Sequence, residues 1–213
     1  AMLAEKIGVS RNAVWKAVKS LETEGYSIDA VTSKGYRISA ENNRLSEKLI
    51  KVSLKTKSFG NNIIIFDEID STNNYAKEIA SSGACNGTVV IADTQISGKG
   101  RLGRNFVSPL GKGLYMTVIV RPDFDIQTAS MITTATACAV ANAIEKLCNY
   151  DVNIKWVNDL YMNGKKICGI LTEASLGMEM KAIDYAVIGI GINVYSSEGS
   201  FSRELRASAT SIE

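Results

Sequence analysis

The chain of 213 residues carries 24 lysines and arginines against 22 acidic residues, and 46% of its residues are hydrophobic. This is the composition of an ordinary globular protein with room for one medium domain and a small one. No apolar stretch reaches the roughly 18 residues that a membrane span requires, and we expect no export leader. The sequence contains no histidine, which excludes Ser-His-Asp and Cys-His catalysis and argues against a zinc site.

The cysteines are candidates for buried thiols rather than for metal ligands. The four of them, Cys85, Cys138, Cys148 and Cys168, lie far apart and form no CxxC pair. We therefore expect reduced thiols in a cytoplasmic protein and no metal site built by the chain. The net charge of +2 is too small to indicate nucleic-acid binding by itself.

The first 40 residues predict two helices followed by a hairpin. A helix over Met2 to Ile7 would end at Gly8, and Ser10 would cap a second helix that ends near Gly25. Apolar side chains recur along the second helix at helical spacing, at Val14, Ala17, Val18 and Leu21. Polar side chains on its opposite face are candidates for DNA contact, namely Arg11, Asn12, Lys16 and Lys19.

A hairpin with a basic tip is predicted around Ser33-Lys34-Gly35. Two helices followed by such a hairpin are typical of a winged helix-turn-helix domain, here over residues 1–40, whose second helix enters the major groove. A small helical packing domain with a solvated polar face explains the same pattern, and periodicity alone does not separate the two. Because the chain opens inside a predicted helix, we expect its first helix to be partial.

The rest of the chain predicts a linker and an α+β domain. Residues 41–60 are polar and lysine-rich, with a short helix expected near 45–54. From residue 61 onwards the pattern predicts a mixed β-sheet backed by helices, extending to residue 213. Strands are predicted at 63–66, 88–92, 114–120, 153–156, 160–162, 166–173 and 182–194, and helices at 72–80 and 127–148.

The strongest candidate site is the segment Gly98-Lys99-Gly100-Arg101-Leu102-Gly103-Arg104. Its glycines let backbone N–H groups face a ligand, and its three cations are best neutralised by an anion such as phosphate. The spacing matches neither GxGxxG nor the P-loop. A solvated basic loop, or one that contacts nucleic-acid phosphates, is the alternative.

Three further segments carry candidate functional groups. The hydroxyl and amide groups of Asp70–Asn73 either cap a helix or face a polar ligand. Lys155 is either a surface lysine beside a packed Trp156 or a pocket lysine that pairs with phosphate or carboxylate. The glycines of 169–173 and 189–193 indicate a bend or the close approach of a flat ligand.

Taken in order, these motifs resemble those of biotin–protein ligases. The motifs are DSTN at 70–73, Gln95 with GKGRLGR at 98–104, KWVNDLY at 155–161, GIL-E at 169–173 and GIGIN at 189–193. The front end resembles the bifunctional subgroup, in which a winged helix makes the ligase its own transcriptional repressor. Lys99 stands where that family has the first arginine of GRGRxGR, and Val157 replaces the proline of KWPND. The subgroup also has a small β-barrel after the GIGIN strand, which we expect this sequence not to include.

The resemblance implies a class II synthetase-like biotin ligase fold and the activity of a biotin–[acetyl-CoA-carboxylase] ligase. Such an enzyme uses ATP and Mg²⁺ to convert biotin into biotinyl-5′-AMP, then transfers biotin to a lysine of a biotin carboxyl carrier protein domain. Biotinyl-5′-AMP would also act as corepressor on operator DNA, with the protein as a homodimer. The alternatives are a lipoate- or octanoate-protein ligase, and a non-catalytic repressor that senses biotinyl-AMP.

The resemblance also implies roles for individual residues. Catalysis is expected of Lys155 and Arg101. The biotin site would comprise Ser71, Thr72, Asn73, Gln95, Gly98, Lys99, Arg101, Lys155, Gly189 and Gly191. The nucleotide site would comprise Arg101, Leu102, Arg104, Phe106, Asn158 and Asn193. The cationic loop would close over the adenylate and be mobile without ligand, and Trp156 is expected to pack rather than to stack on a ligand.

Overall fold

The computed structural model describes residues 2–23, 26–31, 34–38, 45–122, 126–177, 183–195 and 203–213. The chain divides into two compact units, residues 1–45 and residues 46–213. The predicted helix end at Gly25 and the Ser33 part of the hairpin tip lie outside the described residues.

The smaller unit contains two helices and a hairpin in the predicted order: α1 (Met2–Lys6), α2 (Arg11–Thr23), and the antiparallel strands β1 (Ile28–Val31) and β2 (Gly35–Ile38). Gly8 follows α1 with a φ of 68°, in the left-handed region that favours glycine. Ser10 Oγ accepts a hydrogen bond from the Ala13 N–H at 3.1 Å, which caps α2. Both predicted helix boundaries are confirmed.

A small apolar core holds this unit together. Ala4 of α1 packs with Val14 and Val18 of α2, and Ile28 of β1 covers them. Ala17 is exposed, so the apolar face of α2 is narrower than the sequence predicts.

The larger unit contains a seven-stranded sheet with the order β3-β4-β5-β9-β8-β7-β6. Its strands are β3 (Ile63–Ile69), β4 (Val89–Gln95), β5 (Gly113–Val120), β6 (Asn153–Lys155), β7 (Asp159–Met162), β8 (Lys165–Leu176) and β9 (Ile183–Asn193). Its helices are α3 (Glu47–Ser53), α4 (Thr72–Ser81), α5 (Ile126–Cys148) and α6 (Arg203–Ser208), and Arg101–Gly103 form a 3₁₀ turn. The β3–β4 pair is parallel and the others are antiparallel, which confirms the predicted mixed sheet. Among the helices that the structure describes in this unit, α6 is the one that the sequence analysis did not predict.

Helices cover both faces of this sheet. Val187 of β9 packs with Ala76 of α4, whereas the next residue, Ile188, packs with Ala141 of α5. Successive strand residues point to opposite faces, so α4 and α5 lie on opposite sides. Within the described part of the chain, no helix is long and apolar enough to cross a membrane.

The parallel pair brings two of the predicted motifs together. Because β3 and β4 run in the same direction, their carboxyl ends lie at the same edge of the sheet. The backbone confirms the proximity, since Ser97 N–H donates to the carbonyl of Asp70 at 2.8 Å. The DSTN segment and the cationic loop therefore begin side by side.

Candidate ligand-binding site

A cleft opens at the amino end of α4 and encloses about 430 Å³ of space, open solvent included. Ten of the predicted site residues line it: Ser71, Thr72, Asn73, Gln95, Lys99, Arg101, Phe106, Asn158, Gly189 and Gly191. Lys166, Met116, Gly100, Gly169, Ile170, Leu171 and Ile190 complete the lining. Segments far apart in the sequence thus converge on one concave surface, as expected of a ligand site.

The cleft is positively charged. Lys99, Arg101 and Lys166 line it, and no acidic residue is found among the lining residues that the structure describes. The nearest balancing charge is Asp159, whose carboxylate lies 2.7 Å from Lys166 Nζ. Lys99 and Arg101 form no ion pair with the described residues, and a concave surface with such cations attracts an anionic ligand.

Lys166 is the cleft cation that the sequence analysis did not single out. Its ammonium extends over Gly169, where a β-carbon would lie 3.0 Å from Nζ. The available signal was a lysine next to the buried residues Ile167 and Cys168 of β8, three positions before the GIL-E motif. A lysine held beside a sheet glycine in this way faces whatever the cleft binds.

The turn that precedes β7 holds Lys166 in place. Asn158 Nδ2 donates to Asp159 Oδ1 at 3.1 Å and to the carbonyl of Ile170 at 3.2 Å. These bonds orient the Asp159 carboxylate, which in turn pairs with Lys166. The second half of the KWVND motif therefore acts as a support for a lysine on the next strand.

Lys155, by contrast, is not among the described residues that line the cleft. Its side chain is exposed, with Nζ 3.3 Å from the Tyr161 hydroxyl and 5.1 Å from the centre of the Tyr161 ring. The neighbouring Trp156 is 78% exposed, so the expectation that it packs in the core is wrong. The edge strand β6 spans only Asn153–Lys155 and has no neighbour among the described strands on its outer side, which leaves these side chains in solvent.

Ser71 presents a hydroxyl without a partner to the cleft. It is the N-cap residue of α4, yet its side chain makes no capping hydrogen bond. The residue is only 1% exposed, and its Oγ has no hydrogen-bond partner among the described residues. Buried polar atoms are normally paired, so this hydroxyl is available for a ligand.

The adjacent Thr72 is tied to the strand that leads into the cationic loop. Gln95 Oε1 accepts the Thr72 N–H at 2.9 Å and lies 3.0 Å from the Thr72 hydroxyl oxygen. Gln95 Nε2 donates to Ser108 Oγ at 2.9 Å. The amide of Gln95 thus connects the amino end of α4 with both ends of the loop.

The space that the sheet glycines leave open is partly filled by the protein itself. A β-carbon at Gly189 would overlap Asn73 Oδ1, and one at Gly191 would come within 2.6 Å of the Phe106 ring. Gly169 and Gly191 are cross-strand neighbours. The Phe106 ring therefore lies against a pair of glycines, in space that their missing side chains leave open.

The cationic loop folds back on itself. Gly100 N–H donates to the Arg104 carbonyl at 2.7 Å, and Phe106 N–H donates to the Gly98 carbonyl at 2.8 Å. Gly98 is buried, and a β-carbon at this position would overlap the Phe106 carbonyl. Leu102, at the tip, is 87% exposed. The predicted mobility of this loop stays a prediction.

Three predicted nucleotide residues are not among the residues that line the cleft, namely Leu102, Arg104 and Asn193. Arg104 is exposed. Asn193 is 8% exposed and donates from Nδ2 to the carbonyl of Thr210 at 3.0 Å. In this structure Asn193 holds the C-terminal segment against β9.

In the smaller unit the candidate DNA residues share one exposed face of α2. Arg11, Asn12, Lys16 and Lys19 are all exposed, whereas Val14 and Val18 are buried. Lys19 pairs with Glu22 at 2.5 Å. The other basic side chains of this face stay available for an anionic partner.

A mixed sheet with a cationic cleft beneath a glycine- and arginine-rich loop is an arrangement suited to a small anionic ligand. Comparison with protein families matches residues 65–193 to the biotin/lipoate A/B protein ligase family. Residues 1–37 match an HTH domain. The chain belongs to the biotin/lipoate A/B protein ligase family, with a helix-turn-helix domain in front.

Curated relatives agree with this assignment. The chain is 41% identical over 210 residues to the bifunctional ligase/repressor BirA of Bacillus subtilis, covering 99% of this chain and 64% of that protein. It is 34% identical over 198 residues to BirA of Escherichia coli, covering 90% and 58%. The chain thus spans less than two thirds of the length of these relatives.

Solved structures share the architecture of the larger unit. The biotin protein ligase of Aquifex aeolicus in complex with biotin and ATP superimposes with a TM-score of 0.57 at 30% identity, covering 71% of this chain and 60% of that one. The Leishmania major enzyme in complex with biotinyl-5-AMP gives a TM-score of 0.59 at 28% identity, covering 71% and 63%. The predicted α+β fold class, with a front helix-turn-helix domain, is confirmed.

Proposed function

We propose that this chain contains the biotin-activating part of an ATP-dependent biotin–protein ligase that is also a biotin-responsive transcriptional repressor. One observation carries the proposal: Lys99, Arg101 and Lys166 line the same cleft as the unpartnered hydroxyl of Ser71. The cations suit a carboxylate and phosphates, and the hydroxyl suits the polar ring system at the other end of biotin. Relatives named as bifunctional ligase/repressor support the pairing of the two activities.

In the reaction we propose, a carboxylate oxygen of biotin attacks the α-phosphorus of ATP. A new P–O bond forms, the bond to the β-phosphate oxygen breaks, and pyrophosphate leaves. A carboxylate is already ionised at neutral pH, so this step requires no general base and suits a protein without histidine. Catalysis consists of positioning and of charge neutralisation by the cleft cations.

We propose that Lys166 bridges the carboxylate and the α-phosphate, and so takes the catalytic role that the resemblance implies for Lys155. Lys166 lines the cleft and is held by Asp159, whereas Lys155 is exposed beside Tyr161. Arg101 and Lys99 would neutralise the phosphates from the loop side. The catalytic role of Lys155 stays a prediction, which the pyrophosphate exchange assay described below also tests.

The biotin ring system would occupy the part of the cleft next to α4. There Ser71 offers its hydroxyl, and Thr72, Asn73 and Gln95 form the surrounding polar wall. The nucleotide would lie towards Arg101, Phe106 and Asn158, which also line the cleft. Contacts of the nucleotide with Leu102, Arg104 and Asn193, and of biotin with Gly98, stay predictions.

Mg²⁺ is expected to enter with the nucleotide. The described residues contain no group of three or more acidic or cysteine side chains that could hold a metal ion, and the lining residues among them include no carboxylate. The described residues therefore supply no cluster of metal ligands of their own. Mg²⁺ bound to phosphate oxygens and water is compatible with this lining.

We propose three partners and a compartment. The biotinyl group would pass from the adenylate to a lysine of a biotin carboxyl carrier protein domain. Residues 1–40 would bind operator DNA through the exposed face of α2, with residues 41–60 as linker and residues 61–213 as the ligase domain, and the protein would act as a homodimer. Because ATP and DNA are its proposed ligands, we propose that the protein acts in the cytoplasm.

Biotin-dependent exchange of labelled pyrophosphate into ATP tests the proposal. We expect exchange with biotin and none with lipoate or octanoate. Exchange with lipoate alone would assign the chain to the lipoate branch of its family. Binding of biotinyl-5′-AMP by a chain that cannot exchange pyrophosphate would indicate a sensor.

A further inference from the structure

The side chain of Asn73 lies across three neighbouring strands on the α4 face of the sheet. Thr117 of β5 pairs in register with Gly189 of β9, which pairs with Leu171 of β8. Asn73 Oδ1 accepts from the Thr117 hydroxyl at 2.7 Å, and Asn73 Nδ2 donates to the Leu171 carbonyl at 3.4 Å. The amide passes over Gly189, where a β-carbon would overlap Oδ1.

Glu173 and Lys77 stand behind this amide. Glu173, two residues after Leu171 on the same face of β8, accepts from Asn73 Nδ2 at 2.9 Å. Its other oxygen accepts from Lys77 Nζ at 2.7 Å. Lys77 follows Asn73 by four residues, so both lie on one face of α4.

Glu173 is ionised at neutral pH. Burial by itself raises the pKa of this carboxyl, but hydrogen bonds from Lys77 and Asn73, together with the positive charges of Lys77 and Lys99, bring it below the usual 4.5. An ionised carboxylate can only accept hydrogen bonds. It therefore fixes the NH₂ group of Asn73 towards itself and the Asn73 oxygen towards Thr117.

That orientation reaches the cleft through Thr117. A hydroxyl has one proton, and the carbonyl oxygen of Asn73 takes it from Thr117. The Thr117 oxygen, 2.8 Å from the Thr72 hydroxyl oxygen, then accepts the Thr72 hydroxyl proton, and the Thr72 N–H donates to Gln95 Oε1. The polar wall beside Ser71 is thus one connected chain of hydrogen bonds that ends on Glu173.

We propose that Glu173, held by Lys77, is a positioning residue that sets the direction of the polar groups with which Asn73 and Thr72 meet the biotin ring system. Neither Glu173 nor Lys77 is among the lining residues in the described part of the chain, so both act through Asn73. This proposal rests on the function proposed above. It assigns a task to the last residue of the GIL-E motif.

The kinetic test compares Glu173→Gln with wild type. Loss of a hydrogen bond to a charged group is expected to raise the KM for biotin about tenfold. The KM for ATP and kcat should stay within about twofold, because the groups that contact the phosphates are unchanged. Glu68→Gln is the matched control, since Glu68 is an exposed acid on β3 of the same sheet. An unchanged KM for biotin in Glu173→Gln overturns the proposal.

A double-mutant cycle tests whether Glu173 acts through Asn73. If it does, Asn73→Ala/Glu173→Ala binds biotin no more weakly than Asn73→Ala alone. Effects of the two single substitutions that multiply in the double variant would mean that they act independently. That result also overturns the proposal.

A readout without ligand separates this proposal from the proposed function. The side-chain NH₂ signal of Asn73 in the heteronuclear NMR spectrum of the whole chain should shift in Glu173→Gln and not in Glu68→Gln. If wild type fails to bind biotin, the proposed function fails, and the NMR signal still decides whether Glu173 orients Asn73. An unchanged signal in a folded Glu173→Gln variant refutes the orientation.

Discussion

The side-chain oxygen of Asn73 occupies the space that a β-carbon at position 189 would need. Gly189 therefore serves first to let the amino end of α4 dock on the sheet. Thr117 and Leu171, on the strands either side, then bond the amide. The glycine in this part of the GIGIN motif shapes the cleft through a side chain of the protein itself.

Gly189→Ala should destabilise the larger unit and weaken biotin binding. The added methyl group displaces the Asn73 side chain from its hydrogen bonds to Thr117 and Leu171. Overpacking of this kind lowers the free energy of unfolding by about 1–3 kcal/mol. The free energy of unfolding from a urea titration measures the first effect, and calorimetry with biotin measures the second.

The contact can be tested by removing its other side. In Asn73→Ala/Gly189→Ala the oxygen that would clash is absent, so the double variant should be about as stable as Asn73→Ala. A double variant that is less stable by the sum of both single effects would show that Gly189 is required for another reason.

Lys166→Met should abolish biotin-dependent pyrophosphate exchange, with a fall of at least about a hundredfold, because it removes a preorganised cation from the reacting phosphate. Lys155→Met is the matched comparison, since it removes the same charge from an exposed position. Substantial exchange by Lys166→Met would refute the bridging role. Loss of exchange in Lys155→Met would support the role that the KWVND motif predicts.

Much of the fold is readable in the sequence, because apolar alternation and helix caps are local signals. Ser10 as a cap of α2 and the strand before Asp70 follow directly from residue type and order. The edge strand is different. Lys155 lies in a strand of three residues. So short a strand has no alternating pattern from which its exposed side could be predicted.

The supporting contacts of the cleft could not be read from the sequence for a second reason. Asn73 and Glu173 are 100 residues apart, and nothing local to either predicts that they meet. The resemblance to a family predicted most of the residues that line the cleft, but it did not predict which of their side chains face the ligand. Gly169 and Gly191 are an example: the resemblance predicts that Gly191 makes room for biotin, but the Phe106 ring of the protein itself lies against both glycines.

The pH dependence of stability should carry the signature of Glu173. Its pKa in the folded protein lies below the usual 4.5, since Lys77 and Asn73 bond the carboxylate and Lys99 adds positive charge, although burial opposes them. Its contribution is therefore complete above pH 4.5 and is lost as the pH falls through the folded value. Unfolding free energies measured from pH 6 to pH 3 should fall less steeply for Glu173→Gln than for wild type; identical slopes would contradict the prediction.

The cysteines should differ widely in their reaction with iodoacetamide. Burial raises the pKa of the Cys168 thiol to about 12, so at pH 8 it is protonated as well as inaccessible. Cys85 and Cys138 are exposed. Mass spectrometry of the native protein should find these two alkylated and Cys168 unmodified until denaturant is added. Rapid modification of Cys168 in the folded protein would contradict its burial.

Leu102→Gly should leave the protein about as stable as wild type. Leu102 has a φ of 58°, a conformation that costs a residue with a β-carbon about 1–2 kcal/mol, and relief of this cost offsets the added entropy of a glycine in the unfolded chain. Leu110→Gly is the control: this exposed leucine is not among the residues of positive φ, so the added entropy of the unfolded chain should cost the variant about 0.4–1 kcal/mol. Thermal unfolding compares the two variants.

The KM for ATP of Leu102→Gly then tests the predicted contact with the nucleotide. If the Leu102 side chain touches the nucleotide, its removal must raise that KM.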